Sequence, residues 1–319
     1  MNSVLLILPD FLVIPFGWFL AAKLKFSREF WKYAEKLVFY FMLAPLLFNS
    51  VARANISPSS ASRYLAAAVG SMLIAVVVAW LVRYVVKDDQ WTHGSVFQCG
   101  FRFNTYIGFA LVSRLFGDQG MALLALLIAF WVPISNAIAV AELARSVAVH
   151  EAGKNEVNVA RKTVMAVIKN PLIIATVSGL IVNVLGIPVP EVIYQFFKVL
   201  GSAALAMGLL CIGAGLRLDN FKAHAPLICV NSFCRLVVVP AIACGVCWAA
   251  HLSPVEAGAA IVFAVLPTAQ SCYVMTAAMR GDAGAVANVT TVQTLAAMAT
   301  IPVWISLVLS GLSAAAGLV

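Results

Sequence analysis

Charged residues are scarce in this sequence: they make up 11% of its 319 residues, whereas 63% are hydrophobic. A soluble domain carries roughly 25% charged residues, and a water-soluble fold could not hide so much apolar surface. The formal net charge is +8, but the Lys and Arg residues stand in short clusters between apolar runs and form no continuous basic face. The composition therefore excludes a soluble globular domain and argues against nucleic acid as a partner.

Catalytic and metal-binding patterns are absent as well. The four histidines are scattered and lack the spacing of metal ligands, and no nucleophile is placed beside a base. The seven cysteines lie in or beside apolar runs. Cys244 and Cys247 have the spacing of a redox or metal pair, but no second ligand pair accompanies them. We therefore predict that the protein is not an enzyme and that it holds no cofactor and no metal.

What the sequence does contain is a series of long apolar runs. A helix needs about 20 mostly apolar residues to cross the hydrocarbon core of a bilayer. The apolar windows therefore predict an all-α membrane protein with ten transmembrane helices in a single domain, residues 1–319. The predicted helices are 4–22, 37–52, 64–86, 95–116, 121–143, 164–185, 192–215, 226–250, 255–279 and 286–311.

A polar stretch at residues 144–163 divides the chain into a first half, 1–143, and a second half, 164–319. A short repeat supports this division. Leu46 to Arg53 resembles Leu209 to Arg217, and Gly117 to Gly120 resembles Gly281 to Gly284 at closely the same offset. Five helices per half is an odd number, so the second half must enter the membrane from the opposite side. Many secondary transporters are built from inverted repeats of this kind.

The basic residues predict how the chain is oriented in the membrane. Fourteen Lys and Arg residues stand in the odd-numbered loops between predicted helices, and three in the even-numbered loops. Basic loops are retained in the cytoplasm. We therefore predict a multi-pass protein of the bacterial inner membrane, with the 144–163 linker in the cytoplasm and both termini on the periplasmic side.

Two of the predicted helices carry features that point to a binding site. In helix 4, Gln98, Arg102 and Thr105 lie along one face, which lipid would not tolerate. In helix 9, Pro267 removes a backbone donor in mid-helix, and such a break is tolerated only against protein or water. Interrupted helices at matching positions of two inverted halves indicate a midplane site, where half-helix N-termini favour a carboxylate. The alternative is a plain kink lined by polar residues that satisfy helix contacts.

Helices 2 and 7 add further candidates, because polar Asn49 and Ser50 stand where the repeat places Gly213 and its neighbours. These glycines are interpreted as sites of close helix packing. The candidate substrate-binding residues are Asn49, Ser50, Arg102, Asn104, Thr105, Pro267, Thr268, Gln270 and Ser271.

Three charged residues inside predicted helices allow two interpretations each. An arginine at the helix centre costs about 2.5–3.5 kcal/mol on insertion scales, so Arg102 and Arg235 either bind the substrate or reach toward the interface. Asp10 either relays a proton or is an interfacial carboxylate.

At Asn104–Thr105, Asn170–Ala175, Leu266–Pro267 and Ile301–Trp304, the chain resembles the auxin efflux carrier family, over nearly its whole length. The resemblance implies two inverted five-helix repeats with crossed, broken helices 4 and 9, similar to bile-acid/sodium symporters and sodium–proton antiporters. Bacterial members of the family include permeases for malonate and other carboxylates.

Carried over by position, the family's Pro-Asn-Thr crossover element falls on Phe103, Asn104 and Thr105, and its second crossover proline falls on Pro267. Phe103 replaces the first proline, so the resemblance implies a softer first break.

The function predicted from these observations is secondary transport, as a permease or efflux carrier, of a small organic anion such as a mono- or dicarboxylate. Transport would proceed by alternating access at the midplane crossover. The partners predicted are this anion and the lipid bilayer, with a homodimer allowed and no nucleic acid. The alternative function is that of a membrane ligand sensor or scaffold that retains the carrier fold without transporting.

Overall fold

The computed structural model describes residues 3–54, 58–150, 171–216 and 221–315, and every regular element within these ranges is helical. Helices suit such an apolar chain, because each backbone N–H and C=O finds its partner inside the helix. The helices are α1 Ser3–Ala22, α2 Arg28–Leu37, α3 Leu43–Ala52, α4 Pro58–Val85, α5 Gln90–Val96, α6 Thr105–His150, α7 Pro171–Leu185, α8 Glu191–Ala214, α9 Ala225–Phe233, α10 Val239–Ala249, α11 Pro254–Val265, α12 Ser271–Ala278 and α13 Ala283–Ala315.

Several of these helices continue into one another. A π-helical turn at Val38–Met42 joins α2 to α3, and another at Cys234–Val238 joins α9 to α10. A 3₁₀ turn, Phe97–Gly100, extends α5, and a second one, Phe221–His224, precedes α9. Inside α6, Gly117 has φ 56° and ψ −147°, a conformation that glycine adopts without steric cost, so the helix bends there.

The described residues contain six helical stretches that are long and apolar enough to cross a membrane. This confirms the prediction of an all-α membrane protein. The six stretches are Arg28–Ala52, Ala61–Val85, Gln90–Val147, Glu191–Ala214, Ala225–Ala249 and Ala283–Val308, and three shorter apolar helices are Leu8–Ala22, Pro171–Leu185 and Pro254–Val265.

Some predicted boundaries differ from the observed ones. The second predicted helix begins at Arg28 rather than at residue 37, because the amphipathic α2 runs directly into α3. Helix α6 extends to His150, beyond the predicted boundary at residue 143. Near this end of the helix, Glu142 pairs with Arg83 of α4 and with Arg145 one turn later. The rest of the 144–163 linker, and the start of the helix predicted at 164–185, lie outside the described residues.

Two groups of helices pack closely through small residues. Helix α1 lies along α8, and α3 packs against both α7 and α8. A Cβ added to Gly17 would overlap the carbonyl of Leu210, and one added to Gly213 would overlap the carbonyl of Ile14. Glycine at these two positions therefore lets the backbones of α1 and α8 touch, as the sequence predicted for Gly213.

Polar contacts tie together the chain segments at one end of the molecule. His224, before α9, lies 2.9 Å from an Asp88 carboxylate oxygen and 3.8 Å from one of Asp282. The Trp91 indole donates to the backbone carbonyl of Arg280 at 3.0 Å. The segments joined are those between α4 and α5, before α9, and between α12 and α13. All of them are odd-numbered loops of the predicted topology.

A second set of contacts joins only segments predicted to lie on the other side. Arg53 pairs with Glu191, and the Asn183 amide donates to the Ala52 carbonyl at 3.0 Å. Asp10, near the start of α1, accepts from Arg114 in α6. The ion pair gives the Asp10 carboxylate a partner of opposite charge.

We expect the Asp89→Ala variant to unfold more easily by about 1 kcal/mol, the usual value of a helix N-cap. The Asp89 carboxylate accepts from the Thr92 amide at 2.8 Å and thereby caps α5. Burial acts to raise the pKa of Asp89, but the hydrogen bonds from Thr92 outweigh it, so this pKa lies below its usual value. The stabilisation is therefore fully present above the unfolded-state pKa and is lost as the pH falls through the folded-state pKa.

Thermal unfolding of wild type and Asp89→Ala at neutral and acidic pH checks this prediction. The difference in Tm should shrink on acidification. Asp89→Asn, which keeps a capping oxygen but not the charge, should have a Tm between those of wild type and Asp89→Ala at neutral pH. A difference in Tm that does not change with pH would contradict the role of the ionised cap.

Candidate functional site

Two helix interruptions lie against each other in the structure. The first falls between the 3₁₀ turn that ends at Gly100 and the start of α6 at Thr105, and the second between α11 and α12. The backbone amide of Asn104 donates to the Pro267 carbonyl at 2.9 Å, which joins the two breaks directly. We call the residues of these two breaks, 101–104 and 266–270, the crossover.

The first break is stabilised by Asn104 rather than by a proline. Its side-chain oxygen accepts from the amides of Tyr106, at 3.1 Å, and Ile107, at 3.3 Å. These two amides are donors that the first turn of a helix leaves unpaired, so Asn104 acts as the N-cap of α6. The Phe103 ring packs against that of Phe263 with centroids 4.2 Å apart, which links this break to the last turn of α11.

The second break results from Pro267. In a continuous helix residue 267 would donate to the carbonyl of Phe263, four residues earlier, and proline has no N–H to do so. The next amide, that of Thr268, donates instead to the Gln293 side chain on α13 at 3.0 Å. The chain thus leaves α11 after Val265 and begins a new helix at Ser271.

Arg102 bridges the two breaks. Its guanidinium donates to the Gln98 side-chain oxygen at 2.9 Å and to the Ser271 hydroxyl at 3.0 Å, and it lies 3.3 Å from the Met275 sulfur. The side chain is only partly buried, and no ion pair joins it to a carboxylate of the described residues. A cation that stands beside the N-terminus of α12 creates a region of positive potential.

Buried amides complete the crossover. Gln293 accepts from Thr268 and donates to Asn231 at 3.0 Å and to the Cys99 carbonyl at 3.3 Å. Sequence reasoning did not select Gln293 or Asn231. The signal was available, because a polar amide inside an apolar membrane helix marks either a helix contact or a site.

The structure does not bring all the candidates together. Arg102, Asn104, Pro267, Thr268 and Ser271 meet at the crossover, and Thr105 begins α6 there. The side-chain amide of Gln270 instead donates to the Ile212 carbonyl at 3.1 Å and ties the crossover to α8.

Asn49 and Ser50 make other contacts. Asn49 donates to the Tyr194 carbonyl at 2.8 Å, which ties α3 to α8, and Ser50 donates to Leu46 within its own helix at 2.9 Å. Among the described residues, neither side chain has a hydrogen bond to the crossover. Both residues contribute to helix contacts in this structure.

Comparison with known proteins agrees with the membrane character of the fold. A family model described as membrane transport protein matches residues 3–305. The chain is similar to the uncharacterized transporter YfdV of Escherichia coli strain K12, with 23% identity over 310 residues, 94% of this chain and 95% of the relative. The YfdV proteins of Escherichia coli O157:H7 and Shigella flexneri match to the same extent.

Proposed function

The chain belongs to the membrane transport protein family, which is the auxin efflux carrier family, and from that premise we propose that it is a secondary transporter of a small organic anion. The substrate class proposed is a mono- or dicarboxylate, bound at the crossover and released by alternating access. Family membership supports a membrane transporter rather than an enzyme.

The observation that carries the proposed anion site is the position of Arg102. Its guanidinium stands at the N-terminus of α12, within hydrogen-bond distance of Ser271, and has no carboxylate partner among the described residues. A carboxylate that bound there would receive charge-assisted hydrogen bonds from Arg102 and the favourable end of the helix dipole. A cationic substrate would be repelled by both.

The proposed architecture has ten membrane crossings in two inverted repeats of five helices. Gln90–Val147 is 58 residues long, and at 1.5 Å per residue such a length is roughly three times the 30 Å thickness of the hydrocarbon core. In this architecture the bend at Gly117 separates the fourth crossing, which contains the first break, from the fifth. The contacts between loops support this alternation, since they join odd-numbered loops with each other and even-numbered loops with each other. The bias of Lys and Arg supports periplasmic termini.

We propose that a bundle containing the crossover moves against a scaffold built from α1, α2, α3, α7 and α8. The packing supports this partition, because α1 lies on α8, and α3 lies on α7 and α8. Among the described residues, few side-chain bonds span the two groups; examples are those of Gln270 with Ile212 and of Arg114 with Asp10. A small number of such bonds can be exchanged as the groups slide.

The test of this function is a thermal-shift screen of the detergent-solubilised protein against small mono- and dicarboxylates, followed by counterflow in proteoliposomes for each ligand that raises the Tm. Stabilisation together with counterflow is the expected result. Stabilisation without flux would contradict transport and favour the ligand-sensor function. Counterflow of cations, but of no anion, would contradict the proposed substrate class.

A further inference from the structure

Arg235 is a second arginine at the crossover, and its position differs from that of Arg102. It lies on the π-helical turn between α9 and α10 and is wholly buried, with 0% of its surface exposed. No ion pair joins it to a carboxylate of the described residues. An unpaired buried charge is strongly unfavourable, so the surroundings of Arg235 must offer it some other compensation.

The compensation comes from the interrupted end of α11. The Arg235 Nη2 atom lies 3.5 Å from the Phe263 carbonyl oxygen. Pro267 deprives this carbonyl of its helical donor, and the backbone amide of Leu266 reaches it only at 3.4 Å. The last carbonyls of a helix carry the negative end of its dipole, and α11 ends at Val265. The guanidinium therefore stands where the half-helix concentrates negative partial charge.

Interrupted half-helices are cation sites in secondary transporters of this construction. Their exposed carbonyls and C-terminal ends coordinate the ion that is transported together with the substrate. In this chain the Nε and Nη1 atoms of Arg235 are buried without a hydrogen-bond partner. The contact with the Phe263 carbonyl therefore uses only part of the charge and only one of the nitrogen atoms of the guanidinium.

We propose that Arg235 is a tethered cation that occupies, at the C-terminal end of α11, the place of a mobile coupling cation. The negative helix end then carries its counter-charge permanently, and the anion site at Arg102 and Ser271 loads without sodium. The expected effect on flux rests on the proposed transport function. The expected effect of added cations on the Tm is independent of that function.

A substrate carboxylate at Arg235 is the competing assignment, and the geometry disfavours it. The C-terminal end of α11 repels an anion, and the Phe103 ring packs on Phe263 beside the contacted carbonyl. Arg102, by contrast, is partly exposed and stands at a helix N-terminus. The two arginines therefore have opposite surroundings and different functions.

The experiment uses the full chain in detergent and an Arg235→Ala variant, which leaves space for a free cation. We expect the variant to have a lower Tm and to recover most of that loss on addition of low concentrations of guanidinium or sodium salts, but not of choline salts at matched ionic strength. Arg83→Met is the matched control, because Arg83 pairs with the Glu142 carboxylate; its loss of Tm should not depend on which cation is added. Equal Tm values for Arg235→Ala in all three salts would overturn the proposal.

A second measurement tests the proposal if the Arg235→Ala variant does not fold. Wild type and Arg235→Lys, which keeps a cation, should show counterflow that is unchanged when sodium is replaced by choline. Counterflow of the wild type that requires sodium would overturn the tethered-cation proposal while leaving anion transport intact. A wild type without any anion flux would contradict the proposed function. Where Arg235→Ala folds, the cation dependence of its Tm would still decide the inference.

Discussion

The Asn104→Ala variant should lose transport of the anion completely while still reaching the membrane in a folded form. One atom of the Asn104 side chain, Oδ1, caps α6 by accepting from Tyr106 and Ile107. The nitrogen of its side-chain amide, Nδ2, has no described hydrogen-bond partner, although the residue is only 2% exposed. That nitrogen can donate to a bound carboxylate at the point where the two breaks touch. Alanine removes both the cap and the donor.

The two roles of Asn104 can be separated by choice of substitution. Loss of the cap should cost about 1 kcal/mol, and serine and aspartate are about as good N-caps as asparagine. Asn104→Ser should therefore keep the Tm close to that of the wild type and still lose most of the flux, because it lacks the amide donor. Asn104→Asp should also fold and should not transport, because its charge repels the substrate.

Counterflow in proteoliposomes and thermal unfolding of the same preparations measure these effects. Asn183→Ala is the matched control: its amide donates to the Ala52 and Ala54 carbonyls, away from the crossover, so it should lower the Tm and retain flux. Flux in Asn104→Ser equal to that of the wild type would show that the asparagine serves only as a cap.

The second large effect is expected from Arg102→Met, which should weaken apparent affinity for the anion by roughly 10- to 100-fold. Hydrogen bonds to charged groups contribute about 1.5–3 kcal/mol, and each 1.4 kcal/mol corresponds to about tenfold in affinity. The variant also removes the donor to Gln98 in the same segment and the donor to Ser271 that connects the two breaks. Arg102→Lys should recover only part of the affinity, since an ammonium group lacks the planar fork that reaches both partners.

The concentration dependence of counterflow gives the apparent KM of each variant. Arg83→Met is a suitable control, because Arg83 pairs with Glu142 outside the crossover and should affect the Tm more than the KM. An unchanged KM in Arg102→Met, with a lowered Tm, would assign Arg102 a purely structural role and remove the main support for the anion site.

Much of the crossover could be predicted because its causes are local. Pro267 lacks a donor wherever the helix packs, so the second break was predicted from the sequence alone. The first break was placed at Asn104 through the family resemblance, and the structure shows that its cause, the cap on α6, is local as well. Prediction was less successful for side chains whose partners are distant in sequence. Asn49 occupied a matching position of the repeat, yet it bonds to Tyr194, 145 residues away. Gln293 was overlooked although it supports the Thr268 amide.

The order of apolar and polar residues along the chain was sufficient to determine a membrane protein made of helices and to place the interruptions in two of them. These properties depend on the free energy of transferring each segment from water into hydrocarbon and on the backbone donors that the segment lacks. Only the tertiary structure decided that Arg102 faces the N-terminus of α12, that Arg235 stands at the C-terminal end of α11, and that Gln270 bonds to α8. Such pairings depend on the angles and distances at which helices pack, and these are set jointly by side chains far apart in sequence.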